Sequence, residues 1–146
     1  MPTRADRLVV DTNVLISAAL RDGTPPRQVL NGVQDAGGVL LFSDGTFAEV
    51  HSRFLKPKFD RYVTVESRVA FLGHLVTASE WVSISHAKLG CRDPDDDKLL
   101  ETALLGDASC IVTGDQDLLA MHPFRGVPIL DPGAFLRATG PDSAQP

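Results

Sequence analysis

Cysteine and aromatic side chains are scarce in this chain. Of 146 residues only two are cysteines, Cys91 and Cys110, and they form neither a CxxC motif nor a set of metal ligands. We expect two reduced thiols without a redox function. The single Trp81 and the single Tyr62 give no stacking platform of the kind found in general single-strand nucleic-acid binders.

The sequence also lacks a long hydrophobic run. Its uncharged apolar stretches, such as Leu8–Val10 and Val39–Phe42, fall far short of the roughly 18 residues that a membrane span needs. The first residues lead into only a short apolar run, which argues against a secretory signal. Because 43% of the residues are hydrophobic, the chain can still bury a core. We expect a soluble, cytoplasmic protein with no membrane partner.

Positive charge is in the minority, with 14 Lys and Arg against 19 Asp and Glu and a formal net charge of −5. Taken alone, this balance argues against nucleic acid, because phosphate binding rests on Lys and Arg. The charges are segregated, however. Four of the five residues 93–97 are Asp, whereas basic residues gather in the segment 53–61. Bound cations would neutralise the acids, so net charge does not exclude an anionic substrate.

Short β-branched runs alternate with longer helical patterns, which is typical of βαβ units and a parallel sheet. The candidate strands are Leu8–Val10, Val39–Phe42, Trp81–Ile84, Cys110–Thr113 and Val127–Leu130. The candidate helices are Asn13–Leu20, Pro26–Gln34, Thr46–Leu55, Val65–Thr77, Asp95–Leu105, Asp117–Met121 and Ala134–Ala138. This pattern predicts a three-layer α/β fold with short, buried strands. We expect one domain over residues 1–139 and a flexible tail over residues 140–146.

Acidic residues follow the ends of the predicted strands. Asp11 comes directly after the first strand, and Glu49 lies in the first turns of the helix after the second. Asp115 and Asp117 follow the fourth strand, and the Asp93–Asp97 cluster opens the helix before it. Because ligands of open α/β sheets bind beyond the carboxyl ends of the strands, we expect these acids to meet at one edge.

Each acid taken alone has a structural explanation. Asp11, Asp115 and the Asp95–Asp97 run are suitable helix caps, while Glu49 and Arg53 are spaced as a surface pair. Taken together, close carboxylates repel one another unless a cation neutralises them. Hard oxygen ligands without His or Cys favour Mg²⁺ or Mn²⁺ over zinc. The pattern therefore predicts metal-assisted phosphoryl chemistry.

Four segments resemble, in order, the motifs of PIN domains. They are residues 9–18 (VVDTNVLISA), residues 46–49 (TFAE), Asp96 with Thr102 and Ala103, and residues 111–118 (IVTGDQDL). The resemblance extends over about residues 8–135. The nearest branch is that of VapC-like toxin components of toxin–antitoxin systems, which carry an Asp-Pro-x-Asp-x-Lys stretch like the one at residues 93–98.

The resemblance implies a metal-dependent endoribonuclease on a five-stranded parallel sheet of order 3-2-1-4-5, in which metal-activated water cleaves RNA. The implied ligands of Mg²⁺ or Mn²⁺ are Asp11, Glu49, Asp96 and Asp115, with Asp117 near the metal directly or through water. Asn13 and Thr113 would orient carboxylates or water, although a turn Asn and a strand-end Thr explain them equally well. The implied partners are RNA, a second copy of the chain in a homodimer, and an antitoxin.

Other functions fit the sequence less well. A phosphatase of the haloacid-dehalogenase kind requires an Asp where the chain has Asn13, and a receiver domain requires a phosphoacceptor Asp at the end of its middle strand. A metal-free ribonuclease is not supported, because only His51 among the four histidines lies near a candidate acid. A non-catalytic PIN-like module that binds RNA or a partner, and a housekeeping RNA-processing nuclease, remain as alternatives.

Helical geometry selects one acid from the run of three. In a helix that begins at Asp95, the apolar residues at positions 99, 100, 103 and 104 form one arc. Asp96 projects near the middle of that arc, Asp97 at its edge and Asp95 outside it. We therefore predict that Asp96 is the ligand, so that Asp96→Asn loses cleavage, Asp95→Asn keeps most of it and Asp97→Asn is intermediate.

Overall fold

A computed structural model describes residues 4–140. Its strands are β1 (Arg7–Val10), β2 (Val39–Phe42), β3 (Ser79–Trp81), β4 (Cys110–Val112) and β5 (Ile129–Leu130). Its helices are α1 (Thr12–Leu20), α2 (Pro25–Asp35), α3 (Asp44–Phe54), α4 (Val65–Thr77), α5 (Asp97–Leu105), α6 (Gln116–Leu119) and α7 (Pro132–Thr139). Short 3₁₀ turns cover Pro57–Phe59 and Pro94–Asp96. Of the tail predicted at residues 140–146, all but Gly140 lies outside the described residues.

The five strands form one all-parallel sheet in the order β3-β2-β1-β4-β5, which confirms the predicted topology. Leu8 at the centre pairs with Leu40 on one side and with Cys110 on the other. The chain moves outward from β1 to β3 and then returns to β4 on the opposite side of β1. A topological switch point therefore lies between β1 and β4, where ligands of such sheets bind.

Alternate strand residues face two apolar cores. Val10 and Cys110 pack into a core covered by helices such as α1, α2 and α4. Val9 and Ile111 pack into a second core, against α5 and α6. Because both faces of the sheet are covered, its central strands are continuous apolar runs, and the three-layer prediction is confirmed. Within residues 4–140, none of the helices has the length and apolar character needed to cross a membrane.

Strand β3 differs from its predicted position and burial. It covers Ser79–Trp81 rather than Trp81–Ile84, because its partner β2 ends at Phe42, which pairs with Trp81, and Ser43 then caps α3. The strand lies at the edge of the sheet, and Glu80 and Trp81 are exposed. The prediction of a buried third strand was therefore wrong.

Helix α4 covers its predicted residues but does not bury its apolar repeat. Val65 and Val69 are 53% and 54% exposed, whereas Arg68 is fully buried together with Leu72. The apolar spacing correctly predicted a helix at this place. Its buried face is set by hydrogen bonds of Arg68 to the preceding loop, which the apolar repeat does not reveal.

Two glycines allow a matched test of the packing between β1 and β2. A Cβ on Gly38 would lie 2.5 Å from the Ala5 carbonyl oxygen, whereas one on Gly32, inside α2, would meet nothing within 4 Å. We expect Gly38→Ala to lower the free energy of unfolding by about 1–3 kcal/mol, as overpacking does. Gly32→Ala should raise it by about 1 kcal/mol, because alanine favours the helix. Urea unfolding measures both, and equal stability of the two variants would contradict the close approach at Gly38.

Candidate active site

Asp11 and Asp115 flank the switch point of the sheet. The Asp11 amide donates to Val112 O of β4 at 2.9 Å, which fixes the backbone at the end of β1. The Thr113 hydroxyl donates to Asp11 Oδ2 at 2.7 Å and accepts from the Asp115 amide at 3.0 Å. A single buried hydroxyl thus connects both acidic segments, and Thr113 does orient a carboxylate, as the sequence suggested.

The Asp11 side chain does not act as a helix cap. Although Asp11 occupies the N-cap position of α1, its carboxylate makes no capping hydrogen bond. Burial raises the pKa of this carboxyl, with smaller contributions from the charges of Glu49 and Asp115, while hydrogen bonds from Thr113 and the Thr12 backbone lower it. The fold therefore keeps a half-buried acid facing other acids at a cost in stability, which is typical of a functional site.

Glu49 is held by one hydroxyl and two cations. Its Oε2 accepts from Thr12 Oγ1 at 2.8 Å, and its Oε1 lies 2.9 Å from Arg53 Nη2 and 3.7 Å from Lys98 Nζ. The pair with Arg53 is the helical i,i+4 pair expected from the sequence. The sequence did not predict that Thr12 holds a carboxylate. It indicated the neighbouring Asn13 for that role, and Asn13 is exposed. The Glu49 charge is therefore partly balanced without a metal.

Asp96 lies near the other acids, although not by the predicted helical geometry. Helix α5 begins at Asp97 rather than Asp95, and Asp96 ends the 3₁₀ turn before it. Burial raises the Asp96 pKa to about 6, with further contributions from the charges of Asp93, Asp11, Asp115 and Glu49. The charges of acids on three other segments therefore disfavour the ionised form of Asp96.

The burial order predicted for the acidic run was wrong. Asp97 is only 6% exposed, and its Oδ1 accepts from the Cys91 amide at 3.0 Å. This hydrogen bond lowers the Asp97 pKa and ties the preceding loop to α5. Asp96 is half-buried and Asp95 exposed. Because α5 starts at Asp97 and not at Asp95, the buried acid of the run is Asp97 rather than Asp96.

Asp115 and Asp117 lie at the rim of the site. Asp115 Oδ1 accepts from the Asp117 amide at 2.8 Å and so caps the short helix α6. Asp117 Oδ1 lies 3.5 Å from Arg92 Nη1, and both side chains are largely exposed. The Asp117 carboxylate therefore pairs with the exposed Arg92 side chain. The position of Asp117 near a metal stays a prediction.

Buried hydroxyls join helix α3, which carries Glu49, to helix α5, which follows Asp96. Ser43 caps α3 in a reciprocal capping box with Thr46. Thr102 of α5 donates to Ser43 Oγ at 3.0 Å, and both residues are fully buried. The start of α3 is therefore joined to α5 at Thr102, the sixth of the nine residues of that helix.

The chemistry of the acids fits a hard divalent cation. Asp11, Glu49, Asp96 and Asp115 offer oxygen ligands only. Burial, and after it the charges of neighbouring acids, raise the pKa of Asp11 and Asp96, and a bound cation would offset both effects. Among residues 4–140, no group of three or more His, Cys, Asp or Glu side chains is arranged to ligate one metal ion directly. Mg²⁺ typically keeps several waters and is held by one or two carboxylates, so a wider arrangement is compatible with it.

Comparisons with known proteins agree with this architecture. The sequence model of the PIN domain matches residues 7–117. The chain belongs to the PIN domain family. PIN domains are generally metal-dependent nucleases, and the acids at the switch point of this PIN domain suit that chemistry.

Two similar proteins are of archaeal origin. The uncharacterized protein MJ1680 of Methanocaldococcus jannaschii is 31% identical over 120 residues, which cover 80% of this chain and 75% of the relative. The crystal structure of PAE2754 from Pyrobaculum aerophilum matches with a TM-score of 0.60 at 16% identity, over 97% of this chain and 92% of the other. At that identity the structural match supports the fold alone.

Proposed function

We propose that this PIN domain is a Mg²⁺- or Mn²⁺-dependent endoribonuclease that cleaves single-stranded or structured RNA. The observation that carries the proposal is the link of Asp11 and Asp115 through the Thr113 hydroxyl beside the switch point, together with the effect of both charges on Asp96. Burial, and after it the charges of neighbouring acids, raise the pKa of Asp11 and of Asp96. A fold retains such a cluster where a cation and its ligands offset the repulsion.

Four acids would hold the metal, namely Asp11, Glu49, Asp96 and Asp115, with Asp117 acting directly or through water. When bound there, Mg²⁺ or Mn²⁺ supplies positive charge that stabilises the scissile phosphate and lowers the pKa of the attacking water. Thr113 holds the Asp11 carboxylate, and Thr12 holds that of Glu49, in fixed orientations. Lys98 and Arg53 keep positive charge beside Glu49, where an RNA phosphate would approach.

The biological part of the proposal is a toxin of a toxin–antitoxin pair that acts in the cytoplasm as a homodimer and is silenced by an antitoxin. This part is supported by the resemblance of residues 93–98 to the VapC-like branch. Induced expression in a bacterial host should arrest growth, and the Asp11→Asn variant should not. A housekeeping nuclease would leave growth unaffected in both cases.

Metal removal and one substitution test the nuclease directly. Purified protein should cut RNA with Mg²⁺ or Mn²⁺, and EDTA should abolish cleavage. Asp11→Asn removes one ligand charge at nearly constant shape, so we expect a loss beyond the about 10- to 100-fold that removal of an outer partner of a metal ligand costs. Gel-resolved cleavage of a labelled RNA measures both effects.

The matched control for this experiment is Asp22→Asn. The Asp22 carboxylate is 98% exposed in the connection between α1 and α2, and its partner Arg27 lies 3.9 Å away. This variant should cut RNA like the wild type. Cleavage in EDTA, or full activity of Asp11→Asn, would overturn the proposal.

A further inference from the structure

A cavity of about 210 Å³ lies between the start of α3 and the segment that follows β3. Asp44 and Gly45 line one side, and Trp81, Ser83 and His86 line the other. The cavity is smaller than the roughly 300 Å³ at which sites for drug-sized ligands begin. Its size therefore suits one planar ring system.

Trp81 forms an aromatic wall of this cavity. Its ring is supported by Phe47, at a centroid distance of 5.3 Å and an interplanar angle of 68°, and by Phe42, at 6.1 Å and 37°. These contacts fix the orientation of the indole, while 43% of the residue remains exposed. The fold thus gives Trp81 ring neighbours that the sequence does not reveal, and it leaves surface on which a flat ligand can stack.

One lining residue of the cavity, Gly45, lies next to Lys98, which in turn lies near the candidate ligand Glu49. Lys98 Cδ lies 3.5 Å from the position that a Cβ on Gly45 would take, and Lys98 Nζ lies 3.7 Å from Glu49 Oε1. Trp81 ends β3, two strands from β1 in the sheet, which corresponds to about 10 Å at the usual strand spacing. A nucleotide next to a phosphate at the acids can therefore reach Trp81.

Asp44 gives the cavity a preference among flat ligands. Its carboxylate accepts hydrogen bonds and cannot donate them when ionised. Adenine, cytosine and guanine carry an exocyclic amine that donates, whereas uracil presents a carbonyl oxygen at the position of the cytosine amine. Stacking on Trp81 is available to every base. Asp44 is the acidic residue of the lining, so a base with an exocyclic amine is favoured over uracil, whose carbonyl oxygen would face that charge.

The far wall of the cavity is held in place by Glu101. This buried carboxylate accepts from the Ser85 amide at 2.8 Å, from the Ser85 hydroxyl at 2.7 Å and from the Ala87 amide at 3.0 Å. His86, between these residues, has a φ of 64°, a backbone conformation that costs energy for a residue with a Cβ. Glu101 therefore fixes the wall in a shape that the segment would not adopt by itself.

We propose that this cavity binds one nucleobase of the RNA beside the cleaved bond, stacked on Trp81 with its exocyclic amine donating to Asp44. The identity of the substrate as RNA rests on the proposed function, whereas base binding itself does not require cleavage. The cavity would then determine which sequences are cut, with an amine-bearing base preferred over uracil.

Fluorescence of Trp81 tests the proposal directly, because it is the single tryptophan of the chain. The probes are cytidine, uridine and ribose, titrated in EDTA with correction for absorbance. Cytidine should quench the emission saturably, uridine should bind at least about fivefold more weakly, as loss of a hydrogen bond to a charged group predicts, and ribose should have no effect.

Three variants assign the roles. Asp44→Asn should remove the preference for cytidine over uridine while quenching persists. Trp81→Ala should weaken cytidine binding about 5- to 150-fold, as loss of a stacking ring does, measured by saturation-transfer NMR on the nucleoside. The control is Leu105→Ala, which changes an exposed apolar residue at the end of α5 and should bind cytidine like the wild type.

The outcomes separate this inference from the proposed function. Linear quenching that is equal for both nucleosides, or a Trp81→Ala variant that binds cytidine normally, would overturn the base-binding cavity. Saturable, cytidine-selective binding in a protein that cuts no RNA would support the cavity and contradict the nuclease. With an active nuclease, Trp81→Ala should raise KM for RNA and leave stabilisation by Mn²⁺ unchanged.

Discussion

Asp96→Asn is expected to abolish metal-dependent RNA cleavage and, without metal, to stabilise the protein. Burial and four neighbouring carboxylates raise the Asp96 pKa to about 6, which means that its charge destabilises the folded state at neutral pH. A neutral amide of the same shape removes this repulsion. The same change removes a metal ligand, so the gain in stability and the loss of function should appear together.

Thermal unfolding with EDTA and with Mn²⁺ measures both effects. A ligand at a hundred times its Kd stabilises the protein by about 2.7 kcal/mol, and Asp96→Asn should lose most of this response. Asp95→Asn is the matched control, because Asp95 is exposed, and it should keep both cleavage and the response to Mn²⁺. A full response in Asp96→Asn would show that this acid is not a ligand.

Asp97→Asn tests whether Asp97 is a metal ligand or a residue that stabilises the fold. Its Oδ1 holds the Cys91 amide, and an amide oxygen can replace this acceptor only in part. We expect a lower Tm with the response to Mn²⁺ retained and cleavage at an intermediate level. If Asp97→Asn is inactive and Asp96→Asn is active, Asp97 is the metal ligand and Asp96 is not.

The sheet was predictable because its central strands are buried on both faces. Strands β1, β2 and β4 are short apolar runs with few alternatives, and they lie within one residue of their predicted ends. Strand β5 is shorter than the predicted Val127–Leu130, because Val127 forms an antiparallel bridge with Phe124 instead. The positions of β3 and β5 depend on where their partners end, and this information is not local in the sequence.

Within the candidate site, acids that directly follow strands were the easiest to place. Asp11 and Asp115 are fixed by the ends of β1 and β4, so strand prediction alone brings them to one edge. The position of Asp96 depends on a 3₁₀ turn that moves the start of α5 by two residues. Periodicity cannot detect such a turn, and the inward position of Asp97 was missed for this reason.

The burial of Arg68 could not be predicted from periodicity either, because a charged residue is seldom fully buried unless its donors are paired. Its Nη1 donates to Phe54 O at 2.9 Å and to Lys56 O at 3.1 Å. Its Nη2 forms an ion pair with Asp60. The Arg68 side chain therefore pairs with polar groups at the end of α3 and in the loop that follows. This part of the chain also carries the basic residues of the segment 53–61.

Arg68→Met is accordingly expected to destabilise the protein by about 3–5 kcal/mol, since this fully buried side chain donates to three backbone carbonyls and pairs with one carboxylate. For a chain of this length, each kcal/mol corresponds to roughly 2–4 °C in Tm, which calorimetry resolves easily. Arg61→Met is the control: Arg61 is exposed over the Tyr62 ring, so its loss should change stability by less than about 0.5 kcal/mol. Arg68→Lys should fall between the two, because one ammonium cannot reproduce the planar fork of donors. Equal stability of Arg68→Met and Arg61→Met would mean that the loop is held by its other contacts, and that the burial of Arg68 contributes nothing to its position.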